Sequence, residues 1–396
     1  MVAHSSALLR RPGAVDAPDN NPDHGVPFHY GDPFGEQRAA TSGPVVVDRS
    51  HRDTLVITGE ERLTWLDGFV SQHVAGLEPG QATEMLVLDP NGRIEHHACV
   101  AETGDRLILD TEAGRGAELA GFLRKMVFWA KVEILEGEGA AEAGDGDADG
   151  AAGGDFAVLT LAGTSLPASL TTPGGASVTL PAEAGTCADL TDGAAARRQQ
   201  WPGDGSVDLL VPRAELEAWF DAAVEAGARP AGSWAFEALR AGDEGDPTRL
   251  IHARIGVDTD EKAIPHEVPA WIGGLEVGGA VHLDKGCYRG QETVSRVHNL
   301  GKSPRVLVRL QLDGSGDTVP ETGAAVTAGG RTVGRVGTVV QHFEYGPIAL
   351  ALVKRAVKAG VELEIDGVAA QVDPATAPAD TGPQAGREAV KRLRGG

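Results

Sequence analysis

Apolar positions follow no regular rhythm at the start of the chain. Through Gly43 they are scattered among Pro, Gly, His and charged residues, which predicts a loosely ordered arm over residues 1–44. Regular patterning begins with two β-rich runs, PVVVD (44–48) and TLVIT (54–58). Next, Leu63, Leu66, Phe69 and Val70 recur at helical spacing, with Trp65 and Phe69 placed as helix core residues. The runs TEMLVLD (83–89) and RIEHHACV (93–100) flank Asp89-Pro90-Asn91-Gly92, and Asn-Gly between two β-like runs predicts a hairpin. Further strands are expected at RLILD (106–110), KVEIL (131–135), FAVLTLA (156–162) and VDLLV (207–211). Helices are expected near 115–129, over 213–227, and in a segment capped by Ser233. From Pro304 to about Val372, short strands separated by glycines predict a small barrel.

Residues 137–155 contain only Gly, Ala, Glu and Asp, a composition that builds no core and reads as a linker or insertion. The domains expected are therefore an arm over 1–44, an α+β region over 45–300 interrupted by that linker, a β-barrel over 301–373 and a flexible tail over 374–396.

Composition narrows the function. The chain has 396 residues, 41% of them hydrophobic, enough for two or three domains with cores. Its net charge of −22 argues against a nucleic-acid partner, which needs a basic footprint. No window approaches the roughly 18 apolar residues of a membrane span, so no membrane partner and a cytoplasmic location are expected. Cys99, Cys187 and Cys287 form no C-x-x-C pair and no metal-ligand spacing, so reduced thiols and no metal site are expected.

The segment least like scaffold is 284–305. Lys285, Arg289, Arg296, Lys302 and Arg305 lie there with one acid, Glu292, a local positive stretch that suits an anion or an acidic ligand tail. Cys287 stands two residues from Lys285 and two from Arg289, and nearby cations favour a thiolate. Gly286 and Gly290 bracket Cys287 and Tyr288, allowing a tight turn or a close backbone approach to a ligand. The competing reading of Cys287 is a packed thiol, since Cys is among the most buried residue types.

Other motifs carry less. Gly301-Lys302-Ser303 resembles the end of a phosphate-binding loop but has Arg296 where that loop needs Gly. His96 and His97 would point to opposite faces of a strand, whereas Glu95 and His97 would share one and could exchange a proton. In 253–269, Asp258, Asp260 and Glu267 occur in a loop-like context, where a carboxylate could accept from adjacent ring N–H donors.

Residues 285–292 read Lys-Gly-Cys-Tyr-Arg-Gly-Gln-Glu, which resembles the K-G-C-[FY]-x-G-Q-E signature of the YgfZ branch of the glycine-cleavage T-protein (GcvT-like) folate-binding family. Arg296, His298 and Asn299 extend it as R-x-H-N. Leu66–Val74, Leu77–Gly80, Asn91–Arg93, Ile264–Val268 and Gly334–Gly337 agree as well, so the resemblance covers about 45–372. It implies an α+β, ring-like multi-domain fold around a central channel with a C-terminal β-barrel. It also implies a monomer that binds tetrahydrofolate (or a one-carbon derivative) and supports assembly or repair of iron–sulfur clusters, with iron–sulfur assembly or client proteins as partners. Carried over by position, Lys285 and Cys287 are the working pair, and Tyr288, Arg289, Gln291 and Glu292 complete the signature. Asp258 stands where T-proteins have an acidic residue, and Arg240 matches the Arg of their L-R-x-E helix end.

Two departures matter. His96 and His97 stand where T-proteins carry paired aspartates, and Ala241-Gly242 follow Arg240 in place of the motif's Glu. Aminomethyl transfer of the T-protein kind is therefore not expected. A folate-dependent one-carbon transferase or demethylase using Glu95 and His97 is the alternative.

Overall fold

The computed structural model describes residues 4–136, 155–191, 193–203, 205–242, 251–300 and 302–377. The expected linker lies outside them except for Asp155, and so does the tail beyond 377. The described residues form two compact units. The first holds the chain up to Gly68, His73–Met85 and His96–Arg240; the second holds Phe69–Gln72, Leu86–Glu95 and the described residues from Ala241 on.

In the first unit the N-terminal segment is not a loose arm. It forms a 3-10 turn at Ala7–Arg10, short paired strands β1 (Val15–Asp16) and β2 (Pro27–His29), and helix α1 (Pro33–Ser42). It is held by single anchors that periodicity does not register. Leu8 and Val26 are fully buried, Ser6 Oγ donates to Asp48 Oδ2 at 2.5 Å, and the Glu36 carboxylate accepts from the backbone N–H groups of Tyr30 and Gly232 at 2.7 and 2.9 Å.

The first unit is built on two sheets. Strands β3 (Pro44–Asp48), β4 (Asp53–Thr58), β5 (Gln81–Leu88), β6 (Ile94–Glu102), β7 (Arg106–Thr111) and β8 (Glu133–Glu136) match the runs read from the sequence. Helix α2 (Arg62–Asp67) is shorter than the apolar spacing suggested and ends at Gly68, while α3 spans Gly116–Lys125. After β9 (Phe156–Gly163) come β10 (Ser169–Thr171), β11 (Ser177–Thr179), β12 (Cys187–Asp189), β13 (Ala195–Gln199) and β14 (Ser206–Pro212). Helix α4 (Leu216–Glu225), β15 (Arg229–Ala231) and α5 (Ser233–Gly242) follow. Ser233 is the first residue of α5 rather than its cap, and its buried hydroxyl has no hydrogen-bond partner among the described residues.

The sheet orders are β12-β13-β14-β9-β3-β15 and β5-β6-β7-β4-β8. Alternation along the strands sends Leu159, Leu161, Leu209 and Val211 to one face of the six-stranded sheet, where they pack with Leu8 and with Trp219 and Phe220 of α4. Val158, Ala195 and Leu210 on the other face pack against Val56, Ala101 and Ile108 of the five-stranded sheet.

Charged groups are also buried in this unit. Arg197 Nη2 donates to Asp110 Oδ1 and Asp208 Oδ2 at 2.5 and 2.7 Å, and Arg52 Nε donates to Asp110 Oδ2 at 2.6 Å. Burial alone would raise the Asp110 pKa, but the guanidinium groups of Arg197, Arg52 and Arg49 bring it down to about 2. Cys99 and Cys187 are buried, and burial pushes both thiols up, Cys187 to about 12. Beyond α3 the loop exposes Phe128 and Trp129, Trp129 at 94%.

The second unit carries an irregular stretch with 3-10 turns at Pro265–Glu267, Pro269–Trp271 and Leu275–Val277, followed by α6 (Gln291–Leu300). It ends in strands β16 (Arg305–Leu312), β17 (Ala325–Ala328), β18 (Arg331–His342), β19 (Gly346–Lys354), β20 (Leu363–Ile365) and β21 (Val368–Val372). These close into a six-stranded barrel in the order β16-β19-β18-β17-β20-β21, filled by Val308, Leu310, Val336, Ala349 and Ala351. The α+β class and the C-terminal barrel expected from the pattern are both present. No helix among the described residues is long and apolar enough to cross a membrane.

Candidate functional site

The residues of the signature are brought together in the second unit, and the segment Phe69–Gln72 prepares their seat. Ser71 Oγ donates to the Ala280 carbonyl oxygen at 2.7 Å and accepts from Leu86 N–H at 3.1 Å. The Gln72 amide donates to the Gly279 carbonyl oxygen. Fixed in this way, two carbonyls of the segment meet Lys285. Its Nζ donates to the Val70 and Gln72 oxygens at 2.9 and 2.8 Å. Lys285 is 7% exposed, and a buried ammonium needs such partners to offset its lost hydration.

Tyr288 lies beside it, with Lys285 Nζ 5.6 Å from the ring centroid. Tyr288 is 8% exposed, and its hydroxyl is buried with no hydrogen-bond partner among the described residues. Burial pushes the phenol up to about 12, so it stays protonated and able to donate. Cys287, between the two, is exposed. The packed-thiol reading therefore fits Cys99 and Cys187 but not Cys287.

The remaining signature residues build the turn. Gln291 Nε2 donates to the Lys285 carbonyl oxygen at 3.0 Å, tying the first residue of α6 back to the turn. Glu292 is exposed in the first turn of α6, where a carboxylate complements the helix dipole. Arg289 Nη1 donates to Glu95 Oε2 at 2.7 Å, a pair about one-third exposed on each side. The two cations flanking Cys287 in sequence are thus directed to other partners, Lys285 to carbonyls and Arg289 to a carboxylate. Gly290 takes φ +83°, and a Cβ there would lie 2.6 Å from the Asp89 carbonyl oxygen. The close approach expected at this glycine is to the β5–β6 hairpin. Thr293 Oγ1 adds a bond to the Asn91 carbonyl oxygen at 2.7 Å.

Three other expectations fare differently. Asp258 is fully buried: Oδ1 accepts from Thr338 N–H and Oγ1, each at 2.8 Å, and Oδ2 accepts from Arg254 N–H at 2.8 Å. As placed, it fastens β18 to the irregular stretch. Arg240 belongs to the first unit, where its Nε donates to Glu237 Oε2 at 3.0 Å. Glu95 and His97 do not pair. Glu95 holds Arg289, while His97 Nε2 lies 2.7 Å from Glu84 Oε2, whose other oxygen accepts from Trp201 Nε1 at 2.9 Å.

Where the resembling motif has Glu, Gly242 leaves room for an imidazole. A Cβ there would lie 2.6 Å from His342 Cδ2. His342 Nδ1 faces the N–H groups of Glu344 and Tyr345 at 3.2 Å each, so it accepts and Nε2 carries the proton. The carbonyls of Val70 and Gln72 were not legible as site groups, since no residue type marks a backbone acceptor. Among the described residues no group of three or more His, Cys, Asp or Glu could hold a metal ion.

Comparisons with known proteins agree with this architecture. Residues 305–379 match the family described as CAF17, C-terminal beta-barrel domain. A chloroplastic protein of Arabidopsis thaliana named "putative transferase" is 23% identical over 358 residues, covering 84% of this chain and 72% of that one. An aminomethyltransferase of Herpetosiphon aurantiacus is 23% identical over 346 residues, covering 86% and 87%. The crystal structure of glycine cleavage system aminomethyltransferase T from Bartonella henselae superposes with a TM-score of 0.72 at 18% identity, over 93% of this chain and 96% of that one. The chain therefore has the fold of the glycine-cleavage aminomethyltransferases and closes with a β-barrel of the CAF17 C-terminal type.

Proposed function

We propose that the protein binds tetrahydrofolate or a one-carbon derivative and supports assembly or repair of iron–sulfur clusters, with Cys287 as the working thiol. The observation that carries this reading is the Lys285–Tyr288 turn. A buried ammonium and a buried hydroxyl with no hydrogen-bond partner among the described residues flank an exposed cysteine. The residues suit a polar heterocycle bearing carboxylates, because the Tyr288 hydroxyl gains an acceptor that it lacks among the described residues. Folate supplies a carrier for one-carbon units. Lys285 and Tyr288 hold and orient it, and Cys287 remains accessible to a partner. One cysteine is too few for a resident cluster, which usually takes four, so Cys287 acts in a shared or transient site with a client protein.

Calorimetric titration with tetrahydrofolate tests the binding step. Saturable binding by the wild type is expected, at least roughly tenfold weaker in Lys285→Ala and weakened in Tyr288→Phe. No binding by folded wild-type protein refutes it. The thiol's role is tested separately: full restoration of iron–sulfur enzyme activity by Cys287→Ala in a deletion strain rules that role out.

A second reading, a folate-dependent one-carbon transferase or demethylase, is favoured by the buried Glu84–His97 pair, a geometry suited to proton transfer, and by the aminomethyltransferase among the similar proteins. It requires product from a methylated or aminomethylated amine in the presence of folate. Loss of that product in His97→Gln would assign the proton transfer to this pair.

A further inference from the structure

On the last turns of α6, His298 meets His266 of the Pro265–Glu267 turn, with ring centroids 6.0 Å apart and planes tilted by 42°. His266 is a chemical oddity. Both ring nitrogens are buried, and neither has a hydrogen-bond partner among the described residues. Buried imidazoles are ordinarily satisfied, and an orphan of this kind calls for a missing ligand or water.

The charges around it say which kind of ligand. Burial first, and then the charges of His298 and Arg355, lower the His266 pKa to about 4. The nearest carboxylate in sequence, Glu267, is turned away and accepts from Arg305 Nε and Nη2 at 2.9 and 2.8 Å. Asp260 is committed to the same guanidinium, at 2.6 and 3.0 Å. Arg355 is set in position by Ser303, its Nε donating to the carbonyl oxygen at 3.0 Å and its Nη2 to Oγ at 2.8 Å. His298 is exposed, so the cluster opens to solvent on the α6 side.

We infer that His266, His298 and Arg355 form an oxyanion site for a carboxylate or phosphate group, distinct from the Lys285–Tyr288 turn. An anion there gives the His266 ring an acceptor, and it neutralises a field that otherwise keeps that ring unprotonated. Binding is then linked to proton uptake, and the anion is held more tightly at mildly acidic pH than at neutral pH. His298 lies within the basic stretch 285–305, the feature that marks this region out in an acidic chain. The inference does not rest on the folate reading: failure of Lys285→Ala to alter tetrahydrofolate binding leaves it standing.

Histidine-ring NMR on the full chain tests it, in buffer free of oxyanions and then with inorganic phosphate or with glutarate. The expected result is that His266 titrates at higher pH when either anion is present. That displacement should be lost in His298→Gln and in Arg355→Gln, with phosphate affinity roughly tenfold lower in the latter. A response to phosphate alone assigns the site to a free phosphate or phosphate ester; a response to glutarate alone assigns it to the carboxylates of an organic ligand. The inference is overturned if neither anion moves the His266 titration. It is equally overturned if His298→Gln responds like the wild type. His298 is exposed, so that variant keeps the fold and decides the matter even if Arg355→Gln unfolds.

Discussion

At Gly290 the backbone is left-handed, with φ +83°, and the space a side chain would need is taken by Asp89 and Leu88. Gly290→Ala combines a strained conformation with a backbone clash, and a loss of about 1–3 kcal/mol is expected in chemical denaturation. Asp110 acts through charge. Its folded pKa lies below the usual carboxylate value, so its stabilising effect is complete above about 4 and is lost as pH falls towards about 2. Asp110→Asn leaves Arg197 and Arg52 buried against a neutral partner, and a loss of about 3–5 kcal/mol at neutral pH is expected by the same measurement. The sequence marks residues of this kind unevenly. Lys285, Cys287 and Tyr288 stand out because unusual types share a short segment. The carbonyls of Val70 and Gln72 that seat Lys285 lie more than 200 positions away, and nothing in their residue types announces it. Asp258 stands in a loop-like sequence context that suits a ligand, yet it accepts from a backbone amide of its own turn and from Thr338 of the barrel.

Among the elements, strands with clean alternation were readable, because a two-sided environment imposes its period on the residues. Strands β10 to β13 and β15 escaped, being three to five residues long and rich in Ala, Ser and Thr. The N-terminal segment escaped for another reason: its order comes from isolated contacts spread over thirty residues. Leu8 is one of them, fully buried among Trp219, Phe220 and the sheet. Leu8→Ala should therefore destabilise the protein by about 2–5 kcal/mol, a core-like cost that a loose arm would not show. Thermal unfolding of that variant against the wild type is the direct check. Helix α2 ended early because Gly68 follows its last turn. An apolar period alone does not locate such a stop.

Across the whole chain, three free thiols divide by exposure: Cys287 is open to solvent, while Cys99 and Cys187 are buried in the first unit. Titration with a thiol reagent should modify one cysteine rapidly in the native protein and all three after unfolding, with native Cys287→Ser inert. The same contrast holds among the six tryptophans, of which Trp129 is the one exposed, on the loop beyond α3. An indole in water emits at longer wavelength than one in a core, and a dissolved quencher reaches it by simple collision. Trp129 thus gives the folded protein a red-edge fluorescence of its own, one that iodide can extinguish while the blue emission of Trp219 and Trp271 persists. Replacing Trp129 with Phe would leave a spectrum dominated by the interior, in which the surface of the molecule has gone dark.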